Sequence, residues 1–194
     1  MTKETHSSGG LIIALLALNV FLTKFLSSYS LIYKIFLILL FFHSSYIGAL
    51  FPDIDMKSSY ISKRYPFLAK HFGKKCRHRG FTHSFLAVLL FSLFFEVIYM
   101  ISNQNIIVLS IGLGFVLGYA SHMILDFLTS EGIEFFNPIK INIHILPIKT
   151  GGTSEKYINK FLRLMIFFLC FYNILLIAGD YYKFDIITYI LNIF

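Results

Sequence analysis

The sequence predicts an all-α, polytopic membrane protein. About five transmembrane helices form a single domain over residues 1–194, with a polar site at their cytoplasmic ends. Three observations predict this. Hydrophobic residues make up 57% of the chain and charged residues only 14%, where a soluble domain carries about a quarter charged. The mean hydropathy is +0.73. The apolar surplus, including 23 phenylalanines, exceeds what a soluble core of this size needs, so a second apolar solvent, the bilayer, is implied.

The spans follow in order. Five apolar runs cover residues 9–26, 35–51, 84–102, 106–127 and 161–178. A helical span needs about 20 residues, with about 17 at the short end. No alternation of period two is sustained, which argues against strands. The opening "MTKETHSSGG" has no small-x-small cleavage site behind it, so the first run reads as a span rather than a signal peptide. Pro52 ends the second run and lets Asp53 and Asp55 present oxygens from an extended turn. Thr82 is the expected N-cap of the third helix, with His83 in its first turn and His78 in the loop before it. Gly112, Gly114 and Gly118 in the fourth predict close helix packing. A sixth piece, residues 186–194, is too short to span.

Net charge is +7. Eight Lys/Arg against two Asp lie between Asp53 and His83, five Lys/Arg lie in 129–163, and the 103–105 link "NQN" carries none. The positive-inside rule puts both long loops and the N-terminus in the cytoplasm, and the tail from Asp180 outside. Lys24 and Lys34 flank the first outer turn and are expected to snorkel. Basic loops between spans point to anionic lipid headgroups, not nucleic acid, as partners. Cys76 and Cys170 make no disulfide framework and are expected to be reduced.

This topology brings ligand-type residues to one depth. His6 precedes the first span, Asp53 and Asp55 follow the second, His78 and His83 precede the third, and His122 and Asp126 close the fourth. The last two are four apart on a helix and share a face. A charged Asp at the end of a span is costly unless paired or liganded. The mixed His/Asp set suits zinc or a related divalent ion, with carboxylates enough for one or more ions. Cys76 is a lesser ligand candidate, and pairing of Asp126 with Arg79 alone is the bland alternative. His71 and His144 read as solvated. His43, inside the second span, reads as a packing or hydrogen-bonding residue, and Glu96 in the third as the donor or acceptor of an interhelical hydrogen bond.

"THSSGG" at 5–10, "LFPDID" at 50–55, "HRGFTHS" at 78–84 and "GYASHMILDFLTSEGI" at 118–133 occur in the order that resembles the YdjM-like family of membrane-bound metal-dependent hydrolases, linked by name to the LexA regulon. The resemblance runs from residue 5 to about 160, including "LPI" at 146–148, and the final span is not diagnostic. That family in turn resembles zinc-dependent phospholipase C, all-helical and with a His-x-x-x-Asp pair that His122 and Asp126 match. The resemblance implies a metal-dependent phosphoesterase of the bacterial inner membrane. The insert "KKCR" at 74–77 departs from some members.

The expected ligands are therefore His6, Asp53, His78, His83, His122 and Asp126. Asp55 is the expected general base or bridging ligand, and Arg79 the clamp on an anionic oxygen. The ion would acidify a water for attack on a phosphorus or acyl centre. The position of the site implies a lipid or lipid-linked substrate. Two other classes fit the same residues: a metal-ion transporter or sensor with His43 and Glu96 on its path, and a non-catalytic protein stabilised by metal.

Overall fold

In the computed structural model, residues 1–75 and 79–182 are described, with side chains through 71, from 79 to 179. His78, Cys76 and the 186–194 piece lie outside the described residues. Among the described residues seven α-helices follow in order: α1 (Lys3–Phe25), α2 (Leu31–Leu50), α3 (Tyr60–Arg64), α4 (Pro66–Lys75), α5 (Phe85–Ile101), α6 (Ile106–Phe127) and α7 (Thr153–Tyr182). Among the described residues the only β pairing is two isolated bridges, Thr129 with Ile148 and Ile133 with Ile143, which pin the loop between α6 and α7. Among the described residues four helical segments are long and apolar enough to cross a membrane: Lys3–Phe25, Leu31–Asp55, Ile106–Phe127 and Thr153–Gly179. The fifth expected span, α5, is a shorter apolar helix of 17 residues.

Local chemistry sets the boundaries. Asn105 caps α6, its side-chain oxygen accepting from the Ile107 amide at 2.8 Å. Ser84, not Thr82, caps α5: its hydroxyl accepts from the Ala87 amide at 3.2 Å. Thr82 is unavailable because it lies in a 3-10 turn, Phe81–His83, where its hydroxyl donates to Asp55. His83 consequently sits before the helix and not in its first turn. Past α2 the chain tightens into another 3-10 turn, Phe51–Asp55, instead of the expected extended one. Proline's fixed φ is compatible with that helical turn, and its missing N–H costs nothing near a helix boundary.

The centre of the bundle is α2 against α6. Gly114 and Gly118 face the carbonyls of Phe41 and Ser45 so closely that a Cβ at either would collide with backbone, as the small-residue pattern predicted. Hydroxyls and amides join the helices. Ser44 donates to the Ile111 carbonyl at 2.7 Å, Ser45 to the Gly10 carbonyl at 2.9 Å, and Asn173 of α7 to the Leu15 carbonyl at 3.2 Å. Elsewhere α7 is largely uncovered, presenting Phe161, Leu164, Phe167, Phe171 and Ile174 outward. Apolar exposure on that scale fits a lipid-facing surface, not one facing water.

The result for the site is simple. The starts of α1, α5 and α7 and the ends of α2 and α6 meet at one end of the bundle, as the contacts of His6, His83, Glu155, Ala49 and His122 show.

Candidate metal centre

At that end, α6 supplies His122 and Asp126, one turn apart on its buried face. The Nδ1 atom of His122 lies 2.8 Å from the Ala49 carbonyl. A carbonyl can only accept, so Nδ1 carries the proton and the Nε2 lone pair faces inward. It meets His83 Nε2 at 3.1 Å, Asp126 Oδ2 at 3.5 Å and Asp53 Oδ1 at 3.9 Å. From α1, the His6 ring stacks on His122 with centroids 3.6 Å apart, and its Nε2 lies 3.3 Å from Asp126 Oδ1. The α-amino group of Met1 reaches the same oxygen at 2.5 Å.

Two overlapping groups of donor atoms fall within 4.8 Å of one another: His6, Asp53 and His122, and His83, His122 and Asp126. The three histidines and Asp126 are fully buried, whereas the Asp53 side chain is 18% exposed and is the member of the cluster open to the outside. Both ring nitrogens of His6 are buried with no hydrogen-bond partner among the described residues. Buried polar atoms are rarely left so. Burial also pushes the His83 imidazole below its ordinary pKa, although Asp53 opposes the shift. Deprotonated imidazoles beside carboxylates are the form a divalent cation requires.

A second layer surrounds these groups. Asp55 is buried. Its Oδ2 accepts from the Thr82 hydroxyl at 2.6 Å and the Arg79 amide at 3.3 Å, and lies 3.7 Å from His83 Nδ1. The Tyr119 hydroxyl donates to the Thr82 carbonyl, fixing the turn from α6. Arg79, at a φ of 62°, sends its guanidinium back toward the loop after α6. Nη1 donates to Thr129 Oγ1 at 3.1 Å and to the Gly132 carbonyl at 3.0 Å. Nη2 lies 3.0 Å from the exposed Glu131 carboxylate and 3.8 Å from Asp126, and Nε is buried with no hydrogen-bond partner among the described residues.

Thus His6, Asp53, His83, His122 and Asp126 converge, with Asp55 and Arg79 against them. Two residues outside the centre, His43 and Glu96, differ from expectation. His43 is exposed on α2 with no hydrogen bond among the described residues, because its side of the helix faces away from the bundle. Glu96 is likewise exposed and makes no interhelical hydrogen bond among the described residues. It lines a cavity of about 160 Å³ between α5 and α6, with Ser92, Tyr99 and apolar side chains. His71 and His144 are exposed, as expected. The Ala49 carbonyl carries no motif signal, and Glu131 lies inside the 118–133 motif with nothing there to mark it as the partner of Arg79. The Thr82 hydroxyl lay inside a motif but was read as a cap.

Comparison with known proteins agrees with the motifs. The family model described as YdjM inner membrane protein matches residues 1–183. The chain is 36% identical over 137 residues to the "Uncharacterized protein YvsG" of Bacillus subtilis, covering 70% of this chain and 79% of that one. It is 33% identical over 117 residues to the "Inner membrane protein YdjM" of Escherichia coli, an alignment covering 59% of each chain. No solved structure matches it significantly. A four-motif order, a helical bundle with several candidate membrane spans and a match across nearly the whole length agree: the chain belongs to the YdjM family of inner membrane proteins.

Proposed function

We propose that the chain is a membrane-bound, metal-dependent hydrolase of the phosphoesterase class, acting on a lipid or lipid-linked substrate at the cytoplasmic face. The observation that supports it is the gathering of three imidazoles and two carboxylates at the bundle's end, in two overlapping groups that share His122. Nitrogen and oxygen donors in this mixture suit zinc or a similar divalent ion. The His6 ring nitrogens, without a hydrogen bond among the described residues, and the inward Nε2 of His122 fit such an ion. Because Nε2 has a single lone pair, the two overlapping groups cannot each own it. A second ion would have to share through a bridging carboxylate. When bound, the ion supplies Lewis-acid activation of water and neutralises charge on an anionic substrate oxygen.

The chain's own residues take distinct roles. His6, Asp53, His83, His122 and Asp126 hold the ion, and Asp53 lies on the approach side. Asp55 is better suited to orient His83 than to act as the general base, since Thr82 and the Arg79 amide already engage its oxygen. Arg79 grips an anionic substrate oxygen once Glu131 gives up Nη2. The basic 53–83 and 129–163 segments support a cytoplasmic position for this end of the bundle and the N-terminus. A transporter reading gains nothing from the fold: His43 faces outward, and Glu96 lines a separate cavity.

The test is purification in detergent with metal analysis, then a screen of phosphodiester, phosphomonoester and lipid-linked pyrophosphate substrates. His122→Ala and Asp126→Ala should lose metal and turnover together. Full metal content and activity in both variants would sink the assignment. A reporter fused near residue 75 should read cytoplasmic, and a periplasmic signal would overturn the topology.

A further inference from the structure

Glu155 is a buried carboxylate in the first turn of α7, 1% exposed and outside the ligand cluster. Both its oxygens are engaged. Oε1 accepts from the Thr2 amide at 2.5 Å, the Thr2 hydroxyl at 2.9 Å and the Thr5 hydroxyl at 2.7 Å. Oε2 accepts from the Gly151 amide at 2.6 Å. Thr2 stands at the N-cap position of α1 without a side-chain cap bond of its own. The amide and hydroxyls of this first turn are thus bonded across the bundle. A neighbouring contact, from the Ser8 hydroxyl to Asn159 Oδ1 at 3.0 Å, repeats the link one turn further along both helices.

A buried carboxylate without a cation is costly, and four donors offset that cost. What the arrangement achieves is positional. His6 follows Thr5 directly; its ring has no hydrogen bond among the described residues and is oriented by stacking on His122 and its approach to Asp126. The backbone that carries it is held by Glu155. Metal sites lose affinity when the groups that orient a ligand are removed, typically by about 10–100-fold.

We propose that Glu155 is a positioning residue of the metal centre: through Thr2 and Thr5 it fixes the start of α1 and so sets His6 as a ligand. This rests on the metal-centre reading above, and it makes the start of the last span part of the site.

The experiment is a double-mutant cycle on the full-length protein in detergent, with Zn²⁺ affinity measured by competition against a chelating dye and Co²⁺ absorption as a reporter of coordination. Glu155→Ala should weaken Zn²⁺ binding by at least about tenfold and alter the Co²⁺ bands. In a His6→Ala background the same change should shift affinity by less than about threefold, because the ligand it serves is gone. Thr5→Val should follow Glu155→Ala in direction and Thr5→Ser should restore binding, which keeps the test open if Glu155→Ala does not fold. Unchanged affinity in Glu155→Ala and Thr5→Val, with zinc bound by the parent protein, overturns the assignment alone. Equal losses with and without His6 make Glu155 merely structural and also overturn it. Failure of the parent protein to bind Zn²⁺ overturns the metal centre and this role with it.

Discussion

The Nε2 atoms of His83 and His122 face one another at 3.1 Å, with Asp53 Oδ1 and Asp126 Oδ2 within 3.9 Å of both. Two imidazole lone pairs at that distance repel unless a proton or a cation lies between them. Replacing either ring should therefore damage metal binding more than replacing a histidine elsewhere. His122→Ala, and separately His83→Ala, should retain less than about a tenth of the parent's zinc by elemental analysis. His144→Ala should retain all of it. Parental zinc in His122→Ala would remove this pair from the centre.

Asp55 should behave as an orienting group. Asp55→Asn keeps an acceptor oxygen but loses the charge that faces His83 Nδ1 at 3.7 Å. Zinc affinity should fall by about 10–100-fold without being abolished. Thr82→Val, which removes the 2.6 Å donor to Asp55, should move the same way by less. Complete loss of metal in Asp55→Asn would instead make Asp55 a direct ligand.

Glu131 should compete with substrate. It is exposed and occupies Arg79 Nη2 at 3.0 Å, an ion pair worth about 0.2–1 kcal/mol at such a surface. Glu131→Gln should lower KM by up to about fivefold at unchanged kcat. Arg79→Lys loses the planar fork and should lower kcat/KM by at least about tenfold. A raised KM in Glu131→Gln would give that carboxylate a role in binding, not competition.

Acid should destabilise the metal-stripped protein through His83. Its folded pKa lies below the ordinary 6.5 because burial disfavours the charged ring. As pH falls below that ordinary value, the unfolded chain takes up a proton that the folded chain refuses. Stability from this group is therefore complete above about pH 6.5 and declines beneath it. Melting temperature in chelator should drop between about pH 7 and 5, and drop less in His83→Gln. Identical profiles would show that His83 titrates alike in both states.

Helix packing should be as sensitive as the site. Gly118→Val sets a branched side chain against the Ser45 carbonyl and should cost about 1–3 kcal/mol or more. That is several degrees of melting temperature in detergent, since about 2–4 °C accompany each kcal/mol in a chain of this size. A melting curve unchanged from the parent would mean α2 and α6 do not approach as closely as drawn.

Most of the candidate centre was legible because its residues sit at helix ends, where apolar runs stop and a His or Asp stands out. Position along each run predicted that His6, Asp53, His83, His122 and Asp126 would share a depth. Rotation about the helix axis was harder to read. His43 lies on a face that only packing defines, so its exposure could not be foreseen, and Glu96 was given an interhelical partner on the same incomplete grounds. The α5 cap was misassigned because Thr82 and Ser84 are chemically equivalent caps. Only the distant Asp55 decides between them by taking the Thr82 hydroxyl. Glu155 was silent for a related reason: a single acid opening a span looks like ordinary helix-end charge until its donors from α1 are seen.

The bond from His122 Nδ1 to the Ala49 carbonyl has a consequence for how the protein can be probed. Ala49 lies in the last turn of α2, where carbonyls lack an intrahelical amide, and Pro52, three residues on where the chain tightens to 3-10, has no amide proton to offer it. A missing hydrogen in one ring thus leaves an acceptor open for another ring, and the tautomer of His122 follows from it. Side-chain scanning at position 49 will not detect this, because every residue presents the same oxygen. Pro52→Ala is the substitution that addresses it: restoring a donor beside that oxygen would give the carbonyl a second hydrogen to share, and the orientation of the His122 ring would be less tightly held.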